Sequence, residues 1–256
     1  MKKPLILVTN DDGIDAIGIR KLVSITKKIG NVVVVAPDSP QSGMGHAITV
    51  GDKLRLVKSD LFNDIESYKC SGTPADCIKI AKHHVLKNKK IDLIVSGINH
   101  GSNSSISVLY SGTMSAAIEG AIESTPSIGF SLCDFNPNAD MDHFDKYAIK
   151  IIENSLFNGI PNSIALNVNI PKKSKDKIKG IKICRQANAY WEEKFDKRLD
   201  PYGREYYWMI GNFVNNDNVN DNDEWAINNN YISIVPCKFD LTSYDSMDFL
   251  KSKWDF

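Results

Sequence analysis

Three short apolar runs, each closed by a polar turn, restrict this chain to a narrow set of folds. Leu5 to Thr9, Val32 to Ala36 and Asp92 to Ser96 are rich in β-formers and do not alternate between apolar and polar residues. A strand with that pattern is buried on both faces, as in a parallel sheet covered by helices. Between the first two runs, Ile19, Leu22, Val23, Ile25 and Ile29 fall at helical spacing, and Gly30-Asn31 supply a stop. The spacing predicts a β-α-β unit with a crossover connection.

The middle of the chain repeats the pattern. Helices are expected over Pro74 to Leu86, Thr113 to Glu123 and Asp145 to Phe157. Further strands are expected near Ser127 to Phe130 and Ile164 to Val168. The order predicts an α/β fold with a doubly wound, mostly parallel sheet, Rossmann-like, in three α/β/α layers. After Pro171 the texture changes. Ile178 to Cys184 and Tyr206 to Ile210 have strand composition and flank a charged stretch containing Asp200-Pro201-Tyr202-Gly203. That reads as one long β-hairpin, about residues 176–212, protruding from a single domain over 1–256. Asn212 to Asn230 reads as a polar loop without a core, Tyr231 to Pro236 as a final strand, and Ser246 to Lys253 as part of a last helix.

Bulk composition removes several function classes. Lys+Arg and Asp+Glu both number 31 in 256 residues, so no global field favours a nucleic-acid polymer. Five cysteines are scattered without a C-x-x-C pair, which argues against a disulfide framework or zinc knuckle and for reduced thiols in a cytoplasmic protein. The run after Met1-Lys2-Lys3-Pro4 is too short for a signal peptide, and no stretch approaches the roughly 20 apolar residues that span a bilayer. No membrane partner is expected.

Ligands of an open α/β sheet sit beyond the carboxyl ends of the strands. The first strand ends in Asn10-Asp11-Asp12-Gly13, the second in Pro37-Asp38-Ser39-Pro40-Gln41-Ser42-Gly43, the third in Gly97-Ile98-Asn99-His100-Gly101. If these strands are parallel neighbours, Asp11, Asp12, Ser42 and Asn99 share one rim. Two carboxylates, a hydroxyl and an amide carbonyl are all oxygen donors, which suit Mg²⁺, Mn²⁺ or Ca²⁺ better than zinc. Each has a plainer explanation too: Asp-Asp-Gly is an ordinary turn, and Asn99 tolerates a left-handed one. His46 reads equally as a loop residue or a substrate contact, and His100 as structural.

Ser111-Gly112-Thr113 precedes an Ala-rich helix. It reads as an N-cap or as a phosphate cradle, where free N–H groups and the helix dipole meet an anion. Ser71-Gly72-Thr73-Pro74 repeats the pattern, but Pro74 at a first helical turn already explains it.

TNDDGI, VVVVAPDSPQSG, SGTPADC, SGINHGSN and YSGTMSAAIEGA, with IKGIKICRQ and the closing YISIVPCKFDLT, resemble the stationary-phase survival protein E (SurE) family in order and spacing. That resemblance implies a metal-dependent nucleotidase acting on nucleoside monophosphates, with broader phosphatase action, polyphosphate included, as the alternative. It implies one divalent cation per subunit, Mg or Mn, held by Asp11, Asp12, Ser42 and Asn99, with catalysis by Asp11 and Asp12. Asn103, Ser111, Gly112 and Thr113 match the positions that hold phosphate. It also implies a homodimer or homotetramer in which the late hairpin serves as an oligomerisation arm. Ser105-Ile106-Ser107 and Asn222-Asp223 depart from the family pattern. Two rival classes fit less well. A haloacid-dehalogenase-like phosphatase wants a second Asp two residues after the first. A non-catalytic Rossmann-type nucleotide-binding module wants G-x-G-x-x-G after the first strand.

Overall fold

The structure, a computed structural model, describes residues 3–172 and 177–255. The chain runs β1 (Leu5–Thr9), α1 (Ile17–Thr26), β2 (Asn31–Pro37), β3 (Leu56–Lys58), β4 (Glu66–Cys70), α2 (Pro74–Ile80), a π-helical turn (Ala81–Val85) and β5 (Leu93–His100). A 3-10 turn (Ser105–Leu109), α3 (Gly112–Ile122), β6 (Ser127–Cys133), α4 (Phe144–Asn158) and β7 (Ile164–Pro171) follow. Last come β8 (Gly180–Ile183), β9 (Ala189–Leu199), β10 (Glu205–Asn215), α5 (Asp223–Asn228), β11 (Tyr231–Lys238) and α6 (Tyr244–Lys253).

Among the described residues, nine strands form one sheet in the order β3-β4-β2-β1-β5-β6-β7-β11-β8. From β4 to β7 every pair is parallel; β3 is antiparallel to β4 and β11 antiparallel to β7. β1 shows why the strands lack alternation. Ile6 and Val8 pack with Ile19, Leu22 and Ile152 on one face, while Leu7 packs with Ile78 and Ala116 on the other. Both faces are buried, each such side chain contributing about 1.5–3 kcal/mol. β1 lies between β2 and β5, whose connections leave in opposite directions. The crevice at that reversal is where a doubly wound sheet binds ligands.

The expected parallel placement of β1, β2 and β5 is present. The hairpin differs from expectation. The Ile178–Cys184 run yields β8, which pairs parallel with β11 in the main sheet. The arm is instead β9 with β10, in register from Ala189↔Asn215 to Leu199↔Glu205. Position 176, where the sequence put the hairpin's start, lies outside the described residues. β9, AYWEEKFDKRL, is mostly exposed on both faces, so its composition carries no core signal. Its turn is as expected: Asp200 Oδ1 accepts from the N–H groups of Tyr202 (2.8 Å) and Arg204 (2.9 Å). The Asn212 to Asn230 stretch is not a coreless loop. β10 runs to Asn215, and Asn222 and Asp223 are fully buried at the start of α5. Along the arm Phe195, Tyr207, Trp208 and Met209 are exposed, and α6 has no buried residue. No described helix is long and apolar enough to cross a membrane.

Candidate metal and phosphate site

The turn after β1 is fixed by its own residues. Asn10 Nδ2 donates to the carbonyl of Gly13 (2.8 Å), and Gly13 adopts φ +93°, where a side chain would be strained. The N–H of Ile14 donates to Pro37 O at the end of β2 (2.9 Å). The N–H of Gln41 donates to Asp11 O (2.7 Å). The carboxylate loop and the loop carrying Ser42 are therefore stitched together. Ser42 itself is exposed, one residue beyond that bond.

The N-terminus of α3 comes down on Asp11. Thr113 Oγ1 donates to Asp11 Oδ1 at 2.5 Å. A Cβ on Gly112 would lie 2.6 Å from Asp11 Cβ and 2.9 Å from its Oδ2, so only glycine permits this approach. Ser111 is the N-cap, its Oγ accepting from Met114 N (3.0 Å). The N–H groups of Gly112 and Thr113, the first two of the helix, have no partner within it. Ser111 and Thr113 therefore have a structural task each, and what remains for an anion is mainly backbone.

Asn99 lies in β5 after a register shift between Ser96 and Asn99, and pairs with Ser131 of β6. Its side-chain nitrogen donates to Gly101 O (2.8 Å), which leaves the amide oxygen for a cation. Asn103 Nδ2 donates to Ser131 Oγ (2.8 Å), so Ser131 links the two asparagines. β7 holds the Asn103 backbone from the other side. Asn103 N donates to Asn169 Oδ1 (2.8 Å), Asn167 Nδ2 donates to Asn103 O (2.8 Å), and Asn169 Nδ2 donates to Asn167 Oδ1 (3.0 Å). Asp223 accepts from Ser105 N and from Ala187 N, each at 2.9 Å, pinning the end of the same loop.

Burial pushes the Asp11 carboxyl up to about 6, against the pull of the Thr113 hydroxyl, and the charge of Asp12 adds to the rise. Burial raises Asp12 as well. Among the described residues no Lys, Arg or His forms an ion pair with either carboxylate. One buried and one half-buried acid without a positive partner, at a rim whose loops also carry Ser42 and Asn99, fit a hard divalent cation. His46 is accounted for elsewhere, its Nε2 lying 2.8 Å from Glu119 Oε2, with Lys79 on the other carboxylate oxygen at 2.6 Å. Burial lowers His100, whose Nε2 is buried without a hydrogen-bond partner among the described residues. Thr73 caps α2 with a capping box and Pro74 in its first turn, so the second Ser-Gly-Thr is a helix start.

Sequence reasoning missed Asn10, Ser131, Asn167, Asn169 and Asp223. A signal existed for two of them. Asn167 stands inside the run read as a strand and Asn169 just past its expected end; β7 continues to Pro171, so both face the same side and need partners.

A family model described as "Survival protein SurE" matches residues 6–193. The chain is 62% identical to a "5'-nucleotidase SurE" of Cytophaga hutchinsonii over 256 residues, covering 100% of this chain and 99% of the relative. It is 58% identical to a "5'-nucleotidase SurE" of Flavobacterium psychrophilum, with 100% and 99% coverage. The crystal structure of a SurE protein from Aquifex aeolicus superposes with TM-score 0.84 at 39% identity, over 97% of this chain and 99% of that one.

Proposed function

From the premise that this chain belongs to the survival protein SurE family, we propose that it is a nucleotidase releasing phosphate from nucleoside monophosphates. The relatives at 62% and 58% identity carry that activity in their names, and each match covers 100% of this chain and 99% of the relative. The observation within the molecule that carries the reading is the junction of Asp11 with the start of α3. The buried Asp11 carboxylate, with the half-buried Asp12 next to it in the chain, meets there a helix N-terminus that only Gly112 allows so close.

Asp11, Asp12, Ser42 and Asn99 would hold one Mg²⁺ or Mn²⁺ per subunit. Bound there, the cation neutralises charge developing on the phosphoryl oxygens. The N–H groups of Gly112 and Thr113, with the Asn103 amide and the Ser111 hydroxyl, hold the remaining oxygens. Asp11 or Asp12 orients the attacking water and takes its proton. Thr113 keeps the Asp11 carboxylate turned to its task. The asparagine network across Ser131, Asn167 and Asn169 keeps Asn103 in place before substrate arrives.

The chain acts as one α/β unit in which the outer part of the β9–β10 arm, carrying Phe195, Leu199, Tyr202 and Tyr206, and α6 join copies into a dimer or tetramer. Their exposed aromatic and aliphatic side chains support this. Free cysteines throughout the described residues are consistent with a cytoplasmic site of action. The test is phosphate release from a panel of nucleoside monophosphates, with Mg²⁺, with Mn²⁺ and with chelator. Asp12→Asn, folded, should lose most of the activity; turnover near that of the unaltered protein would remove the mechanism.

A further inference from the structure

A cleft of ≈ 510 Å³ opens between the loop carrying Gly43, the residue Tyr110 and the base of the β9–β10 arm, where Trp191, Glu193, Met209 and Gly211 line it. Two of its lining residues are chain neighbours of the candidate site: Gly43 follows Ser42, and Tyr110 precedes Ser111. The Gly45 N–H donates to Tyr110 O (3.2 Å), which keeps these two segments together. Tyr110 is 55% and Trp191 41% exposed, and both line the cleft. Trp191 is nevertheless held by Phe213, edge to face at 5.4 Å between ring centroids. Aromatic faces that are open but fixed are what a base needs for stacking, with little side-chain freedom lost on binding.

We propose that this cleft is the nucleobase subsite, with Tyr110 and Trp191 as stacking surfaces and Glu193 accepting hydrogen bonds from the base edge. The assignment rests on the nucleotidase reading and adds what that reading lacks, a reason to prefer nucleotides over other phosphate esters. Continuity selects the occupant: a phosphate at Ser111-Gly112-Thr113 leaves its nucleoside beside Tyr110. The volume lies within the range of small-ligand pockets. Another cleft, ≈ 480 Å³, runs from Ser111 toward β11 between Val108, Ile118, Arg185 and Phe239, and offers one aromatic ring, not a pair. Its His46 is engaged by Glu119.

The experiment compares adenosine monophosphate with ribose 5-phosphate, which has the same ester but no base. In Trp191→Ala and Tyr110→Ala, KM for the nucleotide should rise about tenfold each, the size expected for one lost stacking face. KM for the sugar phosphate should move less than about twofold, by the same reasoning. Trp191→Phe, which keeps a π face, should restore most of the affinity. Calorimetric titration with adenosine monophosphate reads the same loss as Kd without requiring turnover. Failure of hydrolysis in the unaltered protein is thereby separated from failure of the subsite. Equal effects on both phosphates, or no effect on either, overturn the assignment. A change in assembly mass for Trp191→Ala by light scattering would give the cleft to a second copy and overturn it too.

Discussion

Replacing Asp11 by Asn should stabilise the metal-free protein while abolishing its chemistry. Asp11 is 3% exposed, and its carboxyl is raised by burial from 3.8 to about 6. A group whose folded value lies above its unfolded one favours folding in its neutral form. That contribution is full below about pH 4 and lost as pH rises through about 6. At pH 8 in chelator, holding Asp11 charged therefore costs about 3 kcal/mol, from roughly two units at 1.36 kcal/mol each. Asn keeps an oxygen for the Thr113 hydroxyl, so roughly 2 kcal/mol should survive as a net gain. In a chain of this size that is a rise of about 5 °C in Tm. Thermal unfolding in chelator from pH 4 to 8 should show the unaltered protein losing stability as pH rises and Asp11→Asn doing so less. Adding Mg²⁺ or Mn²⁺ at about a hundredfold over Kd should then return about 2.7 kcal/mol to the unaltered protein alone. An Asp11→Asn variant that melts lower in chelator at pH 8, or gains as much from the cation, would refute the argument.

Two further substitutions test the scaffold around the carboxylates. Gly112→Ala puts a methyl 2.6 Å from Asp11 Cβ; activity should fall about 10²-fold, while circular dichroism stays native. Asn167→Leu removes the donor to Asn103 O and the acceptor for Asn169 Nδ2. Leaving those buried groups unpaired should cost about 1–3 kcal/mol in urea unfolding.

The central sheet was legible because its strands are written without alternation and end in polar turns. β1 was read to its exact limits, and β2 and β5 were each recognised, although β5 continues to His100. What escaped was structure whose stability comes from outside the local pattern. β4, ESYKC, is neither apolar nor alternating, and it is a strand because β2 offers a paired edge. β9 is held by its eleven-residue register with β10, not by burial. α5 is hidden in an Asn-rich stretch because Asn222 is fully buried, its side-chain oxygen capping Trp225 N (2.8 Å) and its nitrogen donating to Val219 O (2.8 Å).

For the site, the sheet order lets the loops carrying Asp11, Asp12, Ser42 and Asn99 be placed at one rim, while their choice as metal ligands comes from the family resemblance. The phosphate positions needed more. Motif reading treats Ser111, Gly112 and Thr113 as three equivalent contacts, yet the structure divides their work: a cap, a close approach and a hydrogen bond to a carboxylate. Such a division depends on which neighbour each side chain meets, and that is settled only when α3 is seated over β1. It also changes what substitution should do. Thr113→Ser keeps the hydroxyl that Asp11 accepts from and should retain most activity, whereas Thr113→Val, of nearly the same volume, leaves a buried carboxylate short of a donor. If the two variants behave alike in kcat and in the pH dependence of turnover, Thr113 does not act through Asp11, and its hydrogen bond is incidental to the chemistry.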